Sequence, residues 1–160
     1  MSTFTATLLW ERGAADFVGK RYSRRHQVSF DGGARTLWSA APQNVPAPWS
    51  DATAIDPEEA FVASLASCHM LWFLALAAGQ GYDIERYSDN PVGLMDRNAE
   101  GRIAMTVITL HPDVQFSGTK QPDASTLQQL HERAHHECYI ANSVRTEIRV
   151  EPENLQPASL

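Results

Sequence analysis

The stretch EEAFVASLASCHM, residues 58–70, begins a segment that is apolar from 60 to 78 except at Ser64, Ser67 and His69. Asp56 and Pro57 stand just before it, and Glu58 and Glu59 open it. An N-cap residue, a proline at the first helical position and acids in the first turn together predict a helix start. Gly79 or Gly81 supplies the stop. The apolar run is nearly as long as a membrane span. It is the sole segment of that kind in the sequence, and two acids stand at its mouth. The reading taken is a helix in the core of a soluble protein or oligomer, with no membrane partner.

The remaining composition narrows the class. A chain of 160 residues with 43% hydrophobic content suits one domain, residues 1–160, and is too short for two cores. A formal net charge of −6, with no dense Lys/Arg stripe, argues against nucleic acid as a partner. The basic cluster KRYSRRH (20–26) reads as a local partner for an anion or carboxylate. The N-terminal sequence MSTFTATLLWERGAADF lacks the charged and apolar regions of a signal peptide, which points to the cytoplasm. In a reducing compartment, two cysteines are poor grounds for a structural disulfide.

Strand signals flank the helix. Residues 4–11 and 21–40 have strand character, and in YSRRHQVSF the residues Tyr22, Arg24, His26, Val28 and Phe30 share one face by the period of two. FDGG (30–33) predicts a turn and RTLWSA (35–40) the returning strand. A loop with four prolines, 41–57, leads to the helix. Beyond it come a strand with its loop (82–95), another strand (101–116) with Pro112 near its end, a second helix (123–143) and a last strand (143–152). The order β-β-α-β-β-α-β predicts an α+β fold.

Cys68 sits inside the apolar helix, where a free cysteine ordinarily behaves as a small hydrophobe. Cys138, the only other cysteine, lies at the end of the second helix. One thiol on each of two core helices suits a peroxidatic and resolving pair, provided that their Cα atoms come within about 7 Å. A competing reading is metal binding. His131, His135 and Cys138 follow the spacing i, i+4, i+7 on one helix face, and Cys68 or His69 would complete a zinc set. A nucleophilic Cys68 needs a cation, because burial disfavours the thiolate and the helix N-terminus is ten residues away. Arg24 falls on the inward face of its strand and Arg25 on the other. Glu58 is the natural carboxylate partner for an arginine. In a straight helix, however, ten residues at about 1.5 Å each separate it from Cys68 by roughly 15 Å. Either the helix breaks near Ser64–Ser67 or the groups come from different subunits.

Three stretches together, SRRHQVSFDGG, DPEEAFVASLASCHMLWFLALAA and LHERAHHECYIANSV, resemble the osmotically inducible protein C and organic hydroperoxide resistance (OsmC/Ohr) superfamily. The resemblance implies antiparallel sheets wrapped around two central helices in an intertwined homodimer, with active sites at the subunit interface. It implies a thiol peroxidase acting on organic hydroperoxides, with Cys68 as peroxidatic thiolate and Cys138 as resolving thiol. Glu58 would hold the arginine that activates Cys68, for which Arg24 is the choice and Arg25 the reserve. His69, where better-known members tend to carry phenylalanine, and His135 stand as auxiliary candidates. No metal or flavin cofactor is implied; an external dithiol or a lipoylated protein would serve as reductant. The alternative is a zinc- or small-ligand-binding dimer of the same fold without peroxidase turnover.

Overall fold

The computed structural model describes residues 5–11, 21–23, 25–30, 32–40 and 44–155. The chain clusters into two compact units, Met1–Ala60 and Phe61–Leu160. In the first, β1 (Ala6–Leu9), β2 (His26–Phe30) and β3 (Arg35–Trp38) form an antiparallel sheet in the order β1-β2-β3. The β2–β3 register pairs His26 with Trp38 and Ser29 with Arg35. Between them Gly33 has φ +84°, a left-handed conformation that glycine adopts without steric cost. The expected alternation holds along β2: Val28 is buried and His26 half-buried, whereas Arg25 and Gln27 are exposed. Arg24 and the side chain of Phe30, expected on the same face as Val28, lie outside the described residues.

The proline-bearing loop returns to β3. Trp38 bridges Ile55 in parallel, the Ile55 N–H donates to the Leu37 carbonyl at 2.9 Å, and the Ser39 N–H donates to the Ile55 carbonyl at 2.9 Å. That return delivers Asp56 to the start of α1 (Pro57–Gly79). Asp56 Oδ1 accepts the N–H of Glu58 at 2.8 Å, and Glu59 Oε2 accepts the N–H of Asp56 at 3.1 Å. This reciprocal arrangement is a capping box. At the other end, the Tyr82 N–H reaches the Ala77 carbonyl and the Gly81 N–H the Ala78 carbonyl. With Gly81 at φ +75°, this is a Schellman stop. The helix runs unbroken between these ends, so the break weighed near Ser64–Ser67 does not occur. Small residues there permit close packing, and nothing removes a backbone hydrogen bond.

Helix α1 buries Leu65, His69, Phe73 and Ala77, one residue every four, along a single face. By length and composition it also passes for a membrane span. Its buried face is nevertheless committed to a protein core.

In the second unit, β4 (Asp83–Asp89) pairs antiparallel with β7 (Pro112–Ser117). β5 (Val92–Arg97) and β6 (Ile103–Leu110) are antiparallel, and β8 (Glu147–Val150) lies parallel to β6. Helix α2 spans Ala124–Glu137, with Asp123 as N-cap accepting from the Thr126 N–H. The α+β class stands, but the element order is corrected to β-β-β-α-β-β-β-β-α-β. The single strand expected at 101–116 is two strands in different sheets, because Pro112 cannot donate to the ladder that β6 was following. The segment 82–95 likewise divides at Asn90–Pro91 into β4 and β5. One pairing is parallel, since β7 and α2 form the long crossover that a parallel neighbour requires. The second helix stops at Glu137, six residues before the expected 143, because Cys138 turns to extended φ/ψ (−65°, 112°).

Two apolar clusters fill this unit. Phe73, Ala77, Val114, Leu127, Leu130 and Ala134 form one, joining α1 to α2 and β7. Leu65, Ile108, Leu110 and Cys138 form the other, joining α1 to β6 and the end of α2. Gly93 on β5 lets β6 and α1 close in: a Cβ there would come within 2.7 Å of both Met105 Sδ and Val62 Cγ2.

Candidate functional site

Both cysteines are free thiols, Cys68 half-buried and Cys138 fully buried. Cys68 lies midway along α1 and packs against the cluster that contains Cys138. The turn that ends α2 fixes Cys138. Its own N–H donates to the His135 carbonyl at 3.2 Å, and its sulfur accepts the Ala141 N–H at 3.4 Å. The Asn142 side-chain amide in turn donates to the His136 carbonyl at 2.8 Å, holding the turn closed. Burial pushes the Cys138 thiol up to about 11, and the neighbouring Cys68 thiol adds to the rise. The fold thus places both cysteines, expected on facing helices, at one apolar cluster. Cys138 stays protonated at neutral pH.

An apolar groove of about 520 Å³ opens over Cys68, lined by Ser64, Ser67, Leu71, Trp72, Ala75 and Tyr139. That volume lies within the range of small-molecule sites. Helical spacing presents the lining: Ser64, Cys68, Leu71, Trp72 and Ala75 follow steps of three and four. Tyr139 enters because the chain turns out of α2 at Cys138, and its ring meets Trp72 edge to face at 5.4 Å. Leu71 is 61% and Tyr139 70% exposed, so the groove carries uncovered apolar surface. The sequence reading missed Trp72 and Tyr139. Position i+4 from Cys68 would have found Trp72, whereas no spacing rule finds Tyr139.

His69 points away from the groove. It is buried, and its Nε2 lies 3.2 Å from Nδ1 of buried His131, the rings being parallel to within 3°. Burial holds His69 down at about 4, with His135 nearby acting in the same direction, and holds His131 at about 3. The zinc set weighed from the spacing His131, His135, Cys138 is not assembled, because His131 bonds to His69 instead. Among the described residues no three His, Cys, Asp or Glu side chains converge as metal ligands.

The charged candidates belong to the first unit. Arg25 is exposed and its Nε lies 3.0 Å from Asp51 Oδ2. Asp51 also accepts from the N–H and hydroxyl of Thr53, and those two bonds, ahead of Arg25, lower its pKa. Glu58 is raised above the ordinary carboxylate value, first by a hydrogen bond with Asp56 and then by burial. Asp56 Oδ2 is buried without a partner. Sequence reasoning missed Asp56 as part of this acidic pair and saw it only as a cap.

The family model for OsmC-like protein matches residues 50–153 of this chain. Among solved structures, an OsmC-like protein of unknown function from Vibrio cholerae is 47% identical, with a TM-score of 0.93 over 95% of this chain and 99% of that one. An organic hydroperoxide resistance protein OsmC from Legionella pneumophila is 18% identical, with a TM-score of 0.67 over 95% of this chain and 96% of that one. The organic hydroperoxide resistance protein OhrB of Bacillus subtilis is also 18% identical, with a TM-score of 0.67 over 95% and 98%. No curated protein matches the sequence.

Proposed function

The chain belongs to the OsmC-like protein family, and on that premise we propose that it is a thiol-dependent peroxidase that reduces organic hydroperoxides through Cys68 and Cys138. One observation carries the reading: a half-buried thiol in the wall of an apolar groove packs against the cluster that holds a second, fully buried thiol. A peroxidatic cysteine needs access for its substrate, and a resolving cysteine needs proximity without access. The names of the Legionella and Bacillus proteins bear on the same chemistry, although at that identity the likeness shows the fold alone.

The Cys68 thiolate attacks the distal oxygen of the hydroperoxide, the O–O bond breaks, and the alcohol leaves with one proton. Cys68 becomes a sulfenic acid. The Cys138 sulfur then attacks the Cys68 sulfur, water departs and a disulfide forms. An external dithiol, such as a lipoylated protein, restores both thiols by exchange. These steps draw on no metal or flavin. The apolar lining favours a bulky organic peroxide over hydrogen peroxide, since water-accessible polar groups are few around the sulfur.

The attacking species is a thiolate, which a neighbouring cation favours. Arg24 is assigned that role because Arg25 already has Asp51 as its partner. Glu58, raised by its contact with Asp56, is the carboxylate that an arginine would relieve, and Asp56 Oδ2 would accept a further N–H. Active sites shared across a homodimer fit the uncovered groove, whose open side needs another wall to exclude water.

The test is direct. Cumene hydroperoxide added to the reduced protein is expected to remove two free thiols per chain and to join the peptides bearing Cys68 and Cys138. Dithiol-dependent consumption of the peroxide by Cys68→Ser at the wild-type rate would falsify the proposal.

A further inference from the structure

Helices α1 and α2 are joined by a polar contact that the chemistry above does not use. His69 on α1 and His131 on α2 are each about 1% exposed. A nitrogen–nitrogen contact of 3.2 Å requires one ring to donate and the other to offer a lone pair, so at least the accepting imidazole is neutral. Phe73 stacks on His131, 4.3 Å between ring centres. The second nitrogens, His69 Nδ1 and His131 Nε2, are buried without partners. An apolar pair would fill the seam without that desolvation cost. The pair therefore supplies something that packing alone does not.

Its placement shows what. His69 directly follows Cys68. His131 precedes Cys138 by seven residues, about two helical turns, and so lies on the same face of α2. Among the described residues it is the only side-chain hydrogen bond that joins α1 to α2. Apolar surfaces slide past one another at little cost, whereas one buried directional bond fixes both the axial register and the rotation of two helices. A shift of α2 by one turn, about 5.4 Å, would carry the Cys138 sulfur beyond the reach of Cys68. We propose that His69 and His131 are positioning residues whose mutual hydrogen bond holds the Cys68 and Cys138 thiols in register for disulfide formation. The inference rests on the reading of these cysteines as a redox couple.

The experiment equilibrates the full chain with oxidised and reduced glutathione and measures the fraction carrying the Cys68–Cys138 disulfide. In that exchange the two protein thiols form one S–S bond while oxidised glutathione takes up their electrons and protons as two thiols. His69→Phe/His131→Phe keeps ring-shaped filling and removes the hydrogen bond. Its exchange constant is expected to fall about tenfold or more, equivalent to about 30 mV or more. His131→Asn, which can place an amide near the former Nδ1, is expected to retain the constant within about threefold. If the double variant does not fold, His131→Leu against His131→Asn gives the same comparison. Folded variants that lack the bond yet keep the wild-type constant overturn the positioning role alone. A wild-type protein that forms no such disulfide at any glutathione ratio overturns both this role and the peroxidase reading.

Discussion

Cys68 and Cys138 differ in environment more than in chemistry. Cys68 lines the groove, whereas Cys138 is fully buried, held in a turn and raised to about 11. Iodoacetamide at pH 7 is therefore expected to modify Cys68 well before Cys138, as read by peptide mass, since alkylation requires an accessible thiolate. Equal labelling of both would contradict the assigned roles. In Cys138→Ser the sulfenic acid on Cys68 has no internal thiol to meet. One equivalent of hydroperoxide is expected to leave it long-lived enough for dimedone to trap, and dithiol-dependent turnover is expected to slow markedly. Gly93 offers a structural test at the same scale. A methyl group there meets Met105 and Val62 at 2.7 Å, so Gly93→Ala is expected to destabilise the chain by about 1–3 kcal/mol in urea unfolding.

The helices carry the properties that single residues do not. The start of α1 depends on the capping box between Asp56 and Glu59. Asp56→Ala is expected to cost about 1 kcal/mol, measured as a fall in the urea midpoint. The seam between α1 and α2 confers a pH dependence of definite sign. Burial holds His69 at about 4 and His131 at about 3 in the folded chain, against an ordinary value of 6.5. As pH falls below about 6.5, the unfolded chain takes up protons that the folded pair refuses. The stability is fully present above that pH and is lost as pH falls toward 4. For His69 alone the loss is roughly 3 kcal/mol. The wild type is expected to lose more than that single-site amount relative to His69→Phe/His131→Phe between pH 7 and 4 in parallel urea titrations, because His131 adds to it. Identical slopes would show that the pair is charged or hydrated.

At the scale of the molecule, the groove over Cys68 is where the chain leaves large apolar side chains exposed. Leu71 and Tyr139 stand open on it, 61% and 70% exposed. Apolar surface rimming a functional groove is characteristic of an interaction site, and a second copy is the partner proposed above. Sedimentation is expected to give twice the chain mass. Leu71→Glu, which places a charge on that surface, is expected to shift the protein toward the monomer and to lower peroxide turnover with it. A wild-type protein that sediments as a monomer while retaining full activity would remove the shared site from the mechanism.

The sequence by itself determined the α1 start and stop, the hairpin with its positive-φ glycine, and the two cysteines worth attention. These are local signals, each set within a few residues by capping, turn geometry or periodicity. Only the tertiary structure decided that Pro112 divides one apparent strand between two sheets, and that His131 turns to His69 and not to a metal set. It also decided that Cys68 packs against the cluster holding Cys138, with Tyr139 lining the same groove. Each of these depends on which surfaces meet after the chain has folded, and residues distant in sequence carry no periodic trace of one another. The spacing of Glu58 and Cys68 marks the boundary between the two kinds of knowledge. Ten residues predicted either a broken helix or a shared site, and the unbroken α1 removes the first.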